Sequence, residues 1–212
     1  MKNFLVFGST GLLGSAICKE LEKNSFVSRV DRSNISILEN QEKFDGVIWA
    51  QGLNFNDSIK EFNVEKYRQT LDVNVTYILE TCAILIKNQK INIGANLVIV
   101  GSVWTQVGRP NKLSYSISKS ALTGLVRSFS IDLAADQIKV NLVSPGPVDS
   151  PMTNRNLSQE DLNRIISENP NKKLVTTEEV IETICTLVTG KLPGVTGAEI
   201  IVDNGWTVSK LV

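Results

Sequence analysis

The chain has 212 residues, which favours one domain, because domains average roughly 150 residues. Its 22 basic and 22 acidic residues cancel, so no net charge is present to attract nucleic acid or an anionic membrane. With 42% hydrophobic residues, the chain can bury a complete core, which excludes disorder as its dominant state.

Short apolar runs alternate along the chain with longer amphipathic stretches. This alternation is typical of a parallel sheet covered by helices on both faces. The apolar runs predict strands at 4–7, 26–30, 47–50, 97–100, 140–143 and 199–202, of which 26–30 is the weakest. We therefore predict one α/β domain over residues 1–212, with a doubly wound parallel sheet of six or seven strands.

Helical periodicity fills the stretches between these runs. The first helix has an apolar face made of Leu13, Ile17 and Leu21. The second is predicted to have one apolar face, made of Val64, Tyr67, Leu71, Val75, Ile78, Leu79, Cys82 and Ile86. A third helix is predicted over 114–135, and two later helices begin at capping-box pairs, Ser158 with Asp161 and Thr176 with Glu179.

The histidine content, the cysteine spacing and the length of the apolar stretches exclude further classes of function. Histidine does not occur in the sequence, which excludes Ser-His-Asp catalysis and histidine metal sites. The cysteines Cys18, Cys82 and Cys185 are far apart and odd in number, so we expect buried, reduced thiols in a cytoplasmic protein. No window reaches the ~18 consecutive apolar residues of a membrane span. We therefore expect no membrane, nucleic-acid or metal partner.

Glycines follow the first predicted strand at intervals of three, in the stretch Gly8-Ser9-Thr10-Gly11-Leu12-Leu13-Gly14. Glycines at this spacing allow a tight turn and a close approach of the backbone to a diphosphate. Free N–H groups and the positive end of the helix dipole would meet the diphosphate charge. A plain strand-to-helix turn can have the same spacing, but its position at the first strand of an alternating chain favours dinucleotide binding.

A second motif pairs Tyr115 with Lys119, and Ser102 lies 13 positions before the tyrosine, at the end of a predicted strand. Residues four apart project from one helix face, so the phenol and the ammonium can serve one pocket. A neighbouring cation favours the ionised phenol and lowers its pKa from ~10 towards neutrality. Because such pairs are common on surface helices, the motif gains meaning only together with the glycine loop.

The glycine loop, Ser102 and the Tyr115–Lys119 pair resemble, in order and spacing, the short-chain dehydrogenase/reductase family. Further matching positions are Asn74, Asn141, Pro145-Gly146 and the ending 197–205. The resemblance covers nearly the whole chain and implies a Rossmann-type fold that moves a hydride between NAD or NADP and a carbonyl or alcohol, with ketone reduction favoured. Reduction of a 3-oxoacyl thioester remains an alternative, as does a nucleotide-sensing protein of the same fold without turnover.

The resemblance also implies roles for single residues. Tyr115 would be the general acid in reduction and the general base in oxidation, with its pKa lowered by Lys119, which would also hold the nicotinamide ribose. Ser102 would hydrogen-bond the substrate oxygen, and Asn74 would hold a proton-relay water. A substrate lid is expected at 147–173. The residues expected to flank the nicotinamide are Pro145, Gly146, Val148 and Thr153.

The adenosine side departs from the family pattern. The family's Asn-Asn-Ala-Gly after the fourth strand is replaced by Trp49-Ala50-Gln51-Gly52, although Gly52 keeps the close approach to the cofactor. Only 13 residues separate Asp31 from Asp45, where the family fits a helix, a strand and another helix. One strand-helix unit is therefore expected to be missing or shortened.

Two placements of Asp31 follow from this shortening. It could end the second strand and accept the adenosine ribose hydroxyls, which favours NAD, because a carboxylate repels a 2′-phosphate. It could instead end the family's third strand, where 31–34 would contact adenine. Arg32 favours a phosphate and so weakens the NAD preference.

The resemblance extends to assembly. The helices around Asn74 and Tyr115 are similar to those through which the family pairs its subunits. Their apolar surface is predicted to come from Leu122, Leu125, Val126 and Phe129. We therefore expect a homodimer or a homotetramer.

Overall fold

The computed structural model describes residues 1–31, 42–150, 153 and 157–209. Strands and helices alternate in chain order, as the sequence predicts. The bounds are β1 (Asn3–Phe7), α1 (Leu12–Leu21), β2 (Phe26–Val30), β3 (Phe44–Trp49), α2 (Val64–Leu71), α3 (Tyr77–Lys87), β4 (Ile91–Val100), α4 (Leu113–Asp132), β5 (Lys139–Pro145), α5 (Gln159–Glu168), α6 (Thr177–Val188) and β6 (Glu199–Val202). A π-helical segment, Asp72–Thr76, joins α2 to α3.

Within the described ranges, six strands pair in parallel in the order β2-β1-β3-β4-β5-β6. The predicted doubly wound parallel sheet is confirmed, and its strand count is the lower of the two expected. The chain reverses its direction of travel across the sheet between β1 and β3. In sheets of this kind ligands bind at the carboxyl ends of the strands beside such a reversal.

The core has two apolar clusters, one on each face of the sheet. Phe4 and Val6 of β1 belong to one cluster, and Leu5 and Phe7 belong to the other. This alternation explains why the strands are continuously apolar, since both faces are covered. Helices α3 and α4 contribute to the cluster of Phe7, whereas α1 and α6 contribute to the cluster of Phe4.

The predicted apolar face of the second helical stretch is partly wrong. Val64, Leu79 and Ile86 are exposed, whereas Thr70 and Asn74 are buried. The π-helical segment at Asp72–Thr76 is the physical reason, because its extra residue puts α2 and α3 out of register with each other. A single helical period therefore cannot describe both helices.

The predicted oligomer surface on α4 is also wrong. Leu122, Leu125 and Val126 are buried in the core of the chain itself, and Phe129 packs against the same cluster. These side chains point towards the sheet because α4 is the helix that covers β5. The residues that α4 presents to solvent include Ile117, which is exposed.

The predicted helix starts and the predicted burial of the cysteines are confirmed in most details. Thr176 and Glu179 form the reciprocal capping box, and the Ser158 hydroxyl accepts a hydrogen bond from the Asp161 N–H. Cys18 and Cys82 are buried, but Cys185 is only partly so. Burial raises the pKa of all three thiols, to about 11 for Cys18 and Cys185 and to about 12 for Cys82.

No helix in the described part of the chain is both long and apolar enough to cross a bilayer. The same residues contain no cluster of three carboxylate or thiol side chains that could hold a metal ion.

Candidate active site

The glycine loop between β1 and α1 needs glycine at two positions for steric reasons. Gly8 has φ of +72°, and a Cβ there would lie 2.5 Å from the backbone nitrogen of Gln51. A Cβ at Gly14 would lie 2.1 Å from the Gly8 oxygen. Gly11 is the N-cap residue that precedes α1, and among the described residues no side chain caps that helix start. The N–H groups there can therefore meet an anion that approaches the loop.

An open cavity of about 610 Å³ begins at this loop. It runs past the carboxyl ends of β1, β3, β4 and β5, and its volume is typical of a small-molecule site. Most of the site residues predicted from the sequence line it, namely Gly8, Thr10, Gly11, Leu12, Leu13, Ala50, Gln51, Gly52, Ser102, Tyr115, Lys119, Pro145, Gly146, Val148 and Thr153. Parallel strands bring these distant segments together at one edge of the sheet.

The other predicted residues that the structure describes do not line the cavity. Ser9 is buried, and its Oγ donates to the Val30 oxygen at 3.4 Å. Gly14 lies under the loop against Gly8. Asp31 directly follows β2, which pairs with β1, so Asp31 ends the second strand rather than a third. Arg32 lies outside the described residues.

Ser102, Tyr115 and Lys119 form one buried cluster. Ser102 lies just after β4, close enough to the Tyr115 phenol in the first turn of α4 to lower the pKa of that phenol. Lys119 lies one turn further on, with its Nζ 5.7 Å from the centre of the tyrosine ring. That Nζ donates to the Val100 oxygen at 2.8 Å. β4 and α4 thus hold the three side chains together.

Burial controls the pKa of both titratable groups in this cluster. It raises the pKa of Tyr115 to about 12, although the hydrogen bond from Ser102 acts in the opposite direction. It lowers the pKa of Lys119 to about 8. The predicted lowering of the Tyr115 pKa by Lys119 is not seen in this structure, where desolvation of the phenolate is the main effect. A phenol that stays protonated near neutrality is suited to donating a proton.

Asn74 lies in the π-helical segment and clamps the loop after β3. Its Oδ1 accepts from the Leu53 N–H at 2.8 Å, and its Nδ2 donates to the Leu53 oxygen at 2.9 Å. The same Nδ2 is 2.9 Å from the Ser118 Oγ on α4. A Cβ on Gly52 would be 3.9 Å from the Asn74 Oδ1 and 3.8 Å from the Lys119 Nζ. Asn74 and Lys119 therefore flank the same glycine.

Sequence reasoning missed Glu199, which fixes the segment that carries Ser102. Its Oε1 accepts from the hydroxyls of Thr105 and Ser144, both at 2.6 Å, and its Oε2 accepts from the Gln106 amide at 2.9 Å. These bonds join the turn after β4 to β5 and β6. The only signal in the sequence is a carboxylate at the start of an apolar run.

Several residues that line the cavity were also not predicted, because they belong to no spaced motif. Lys112 is only 2% exposed, and its Nζ donates to the side-chain oxygens of Asn54 at 2.8 Å and Asn56 at 2.6 Å. In the sequence, these cavity residues are marked only by their positions, which lie between Ser102 and Tyr115 or just after a strand end. The polar and aromatic members of this group are Asn54, Trp104, Arg109, Lys112 and Ser150.

The chain resembles known proteins along most of its length. Residues 28–207 match the family model described as enoyl-(acyl carrier protein) reductase. A solved short chain dehydrogenase family protein from Francisella tularensis is 26% identical, with a TM-score of 0.85 over 98% of this chain and 99% of the other. The chain belongs to the short-chain dehydrogenase/reductase family.

Relatives of known activity lie within the same family. A 3-oxoacyl-[acyl-carrier-protein] reductase of Buchnera aphidicola is 28% identical over 96% of this chain and 86% of its own length. Glucose 1-dehydrogenase 2 of Bacillus subtilis is 29% identical over 81% of this chain and 67% of its own. This short-chain dehydrogenase/reductase is therefore an NAD(P)-dependent oxidoreductase that acts on a carbonyl or alcohol of a small molecule.

The site fits a dinucleotide as this family requires. The glycine loop packs closely on main-chain atoms at Gly8 and Gly14, and Gly8 and Gly11 line the cavity. The amide of Gln51, where the family has a different residue, is buried and has no hydrogen-bond partner among the described residues. A ligand in the adjoining cavity can supply that partner.

Proposed function

We propose that this enzyme reduces a ketone, with Tyr115 as the proton donor. The single observation that carries the proposal is that Ser102, Tyr115 and Lys119 are buried together in the wall of the cavity that begins at the glycine loop. A bound reduced nicotinamide supplies the hydride to the carbonyl carbon. The residues of the chain must then orient the carbonyl and give a proton to its oxygen.

Each of the three clustered side chains has a separate task in this proposal. Tyr115, which is protonated near neutral pH, gives its phenolic proton to the carbonyl oxygen as negative charge develops there. Ser102 donates a second hydrogen bond to that oxygen and so stabilises the developing charge. The Lys119 ammonium holds the ribose of the nicotinamide and counters the charge left on the phenolate.

Asn74 lies beside Lys119 near Gly52, since a Cβ on Gly52 would be 3.9 Å from the Asn74 Oδ1 and 3.8 Å from the Lys119 Nζ. Its amide is engaged with the backbone of Leu53 and with Ser118, so we assign it the task of holding the loop after β3 against α4. A water between Asn74 and Lys119 would return a proton to Tyr115 after each turnover.

The experiment that tests this function is reduction of small ketones with NADH and NADPH by Tyr115→Phe. Loss of the general acid costs about 10² to 10⁴ in kcat, while cofactor affinity, followed by nicotinamide fluorescence, stays unchanged. Tyr67→Phe, the same change at a residue of α2 that packs against Phe62 and does not line the cavity, is the matched control and keeps full activity. Turnover by Tyr115→Phe at the wild-type rate would contradict the proposal.

We propose NAD rather than NADP as the cofactor. Asp31 follows the strand next to β1, and the Gly8 N–H donates to the Val30 oxygen at 3.1 Å, so the glycine loop and the end of β2 are adjacent. A carboxylate there favours ribose hydroxyls over a 2′-phosphate. Asp31→Asn should weaken NADH binding and strengthen NADPH binding. An unchanged ratio of the two dissociation constants would contradict this assignment.

Reduction of a 3-oxoacyl thioester is the second candidate, favoured by the activity of the Buchnera aphidicola relative. Two matched substrates separate the candidates: the N-acetylcysteamine thioester of 3-oxobutanoate and its ethyl ester. A large preference for the thioester would favour the acyl-thioester function. Equal rates on both would favour a general ketone reductase.

We also propose a lid and an oligomer. Residues 147–173 would cover the substrate, since Asp161 of α5 pairs with Arg109 of the cavity wall at 3.1 Å.

A homodimer or homotetramer would form through the outer faces of α3 and α4, where Leu79, Ile86 and Ile117 are exposed. Light scattering on the purified chain measures the assembly, and Ile117→Glu should reduce its mass to that of a monomer.

A further inference from the structure

One buried amide in the cavity wall has no hydrogen-bond partner. Gln51 follows β3 by two residues and lines the cavity. Its Oε1 and Nε2 are both buried, and among the described residues no other buried side-chain nitrogen or oxygen lacks a partner. Nearly all buried polar groups in folded proteins are hydrogen-bonded, because an unpaired one destabilises the chain. The unpaired amide therefore indicates a partner from outside the chain.

The backbone of Gln51 packs against the glycine loop. A Cβ on Gly8 would lie 2.5 Å from the backbone nitrogen of Gln51 and 2.8 Å from its Cα. The next residue, Gly52, lies beside the ammonium that is proposed to hold the nicotinamide ribose, since a Cβ there would be 3.8 Å from the Lys119 Nζ. Gln51 therefore lies between the loop suited to a diphosphate and the group proposed to hold a ribose.

The two unpaired atoms of Gln51 together define the kind of group that can satisfy them. Nε2 is a donor and needs an acceptor, whereas Oε1 is an acceptor and needs a donor. A diphosphate at neutral pH offers only acceptors, so it would leave Oε1 unpaired. A ribose hydroxyl both donates and accepts, and each ribose of a dinucleotide is joined directly to the diphosphate. A ribose diol therefore matches the amide in its chemistry and in its position beside the glycine loop.

We propose that the Gln51 amide binds a ribose diol of the dinucleotide. The inference rests on the proposed function, because that function takes NADH or NADPH into this cavity. Turning the side chain towards a ribose breaks no hydrogen bond, since the amide has no partner among the described residues. The family pattern has alanine at this position, which has no polar side-chain atom, so the contact is an addition in this chain.

Gln51→Met tests this assignment through stability and cofactor binding. Methionine keeps an unbranched side chain of similar size but has no amide to leave unpaired. The midpoint of thermal unfolding, measured on the purified chain without ligand, should therefore rise by about 2 to 4 °C. The dissociation constant for NADH, followed by nicotinamide fluorescence, should rise by about 10-fold. A residue with a structural role alone would not gain stability and lose affinity together.

Two further variants and a second ligand sharpen this test. Gln69→Met is the matched control, because it makes the same change at an exposed residue of α2, and it should alter neither quantity. Gln51→Ala, with the residue of the family pattern, should also weaken NADH binding. Displacement of NADH by ADP shows which ribose is bound, since ADP contains only the adenosine ribose. Equal weakening for ADP and NADH would assign the amide to the adenosine ribose, whereas weakening for NADH alone would assign it to the nicotinamide ribose.

The remaining outcomes separate this inference from the proposed function. Unchanged NADH affinity in both Gln51 variants would overturn the inference, and loss of turnover in Tyr115→Phe would still support ketone reduction. A lower midpoint of unfolding in Gln51→Met would also overturn it, because the amide would then have a partner within the chain. NADH binding that depends on Gln51, without reduction of any carbonyl, would support the ribose contact and contradict the proposed reaction. A wild-type chain that binds neither NADH nor NADPH would contradict both.

Discussion

The two ends of the cavity differ in whether backbone or side chains form the surface. At the glycine loop the backbone itself forms the surface, and Gly8 and Gly14 are required because a side chain would collide with main-chain atoms. At the end that contains Ser102 and Tyr115, called the reacting end below, side chains form the surface. Hydrogen bonds from distant elements hold these side chains, and Glu199 holds the turn after Ser102 in this way. The first end depends on local chain geometry, whereas the second depends on long-range contacts.

The largest effect is expected from Gly14→Ala. Its Cβ would lie 2.1 Å from the Gly8 oxygen, and backbone atoms cannot move aside cheaply, so the free energy of unfolding should fall by about 2 kcal/mol or more. NADH binding should be weakened at the same time. Chemical denaturation and nicotinamide fluorescence measure the two effects.

Gly124→Ala is the matched control for that substitution. Gly124 lies in α4, and a Cβ there would meet nothing within 4 Å. Because alanine is the better helix former, this variant should be more stable than the wild type by about 0.5 to 1 kcal/mol. Equal stability of the two variants would mean that the loop does not need glycine, and the contrast between the two ends would fail.

Glu199→Gln is expected to damage the reacting end alone. The amide replaces a charged acceptor with a neutral one, so the bonds to Thr105 and Ser144 weaken and Ser102 loses its fixed position. We expect kcat for ketone reduction to fall by about 10-fold, with NADH affinity unchanged. Glu182→Gln, an exposed change on α6, serves as the control. A loss of NADH affinity in Glu199→Gln would show that the two ends are not independent.

The smallest effect is a pH dependence that belongs to the reacting end. Burial lowers the pKa of Lys119 from its ordinary 10.5 to about 8, so its positive charge is present below pH 8 and lost above it. Tyr115, with a pKa of about 12, stays protonated throughout this range. On a neutral ester, kcat/KM for reduction should therefore fall as pH rises above about 8.

Lys119→Arg sharpens this test, because an arginine stays charged at every pH in the range. The variant should lose the decline above pH 8, even if its overall rate is lower. An identical pH profile in the wild type and the variant would mean that another group causes the decline.

The same division separates what sequence reasoning reached from what it missed. The pattern predicted the strands, the glycine loop and the Tyr115–Lys119 pair, because each depends on neighbours within a few residues. It misjudged the exposed positions Leu79 and Ile86, since a π-helical segment inside the helix shifts their register. It also misjudged Leu122, because the same apolar stripe can face a partner subunit or the sheet of its own chain.

The sequence by itself determined the fold class, the family and the position of the glycine loop, since steric requirements and hydrophobic periods are local properties of the chain. Tertiary structure decided that Tyr115 is buried, which raises its pKa. It also decided that Glu199 reaches Thr105 and that Asn54 reaches Lys112. Residues so far apart in sequence meet only when strand pairing brings distant segments side by side, and no local sequence pattern specifies that contact.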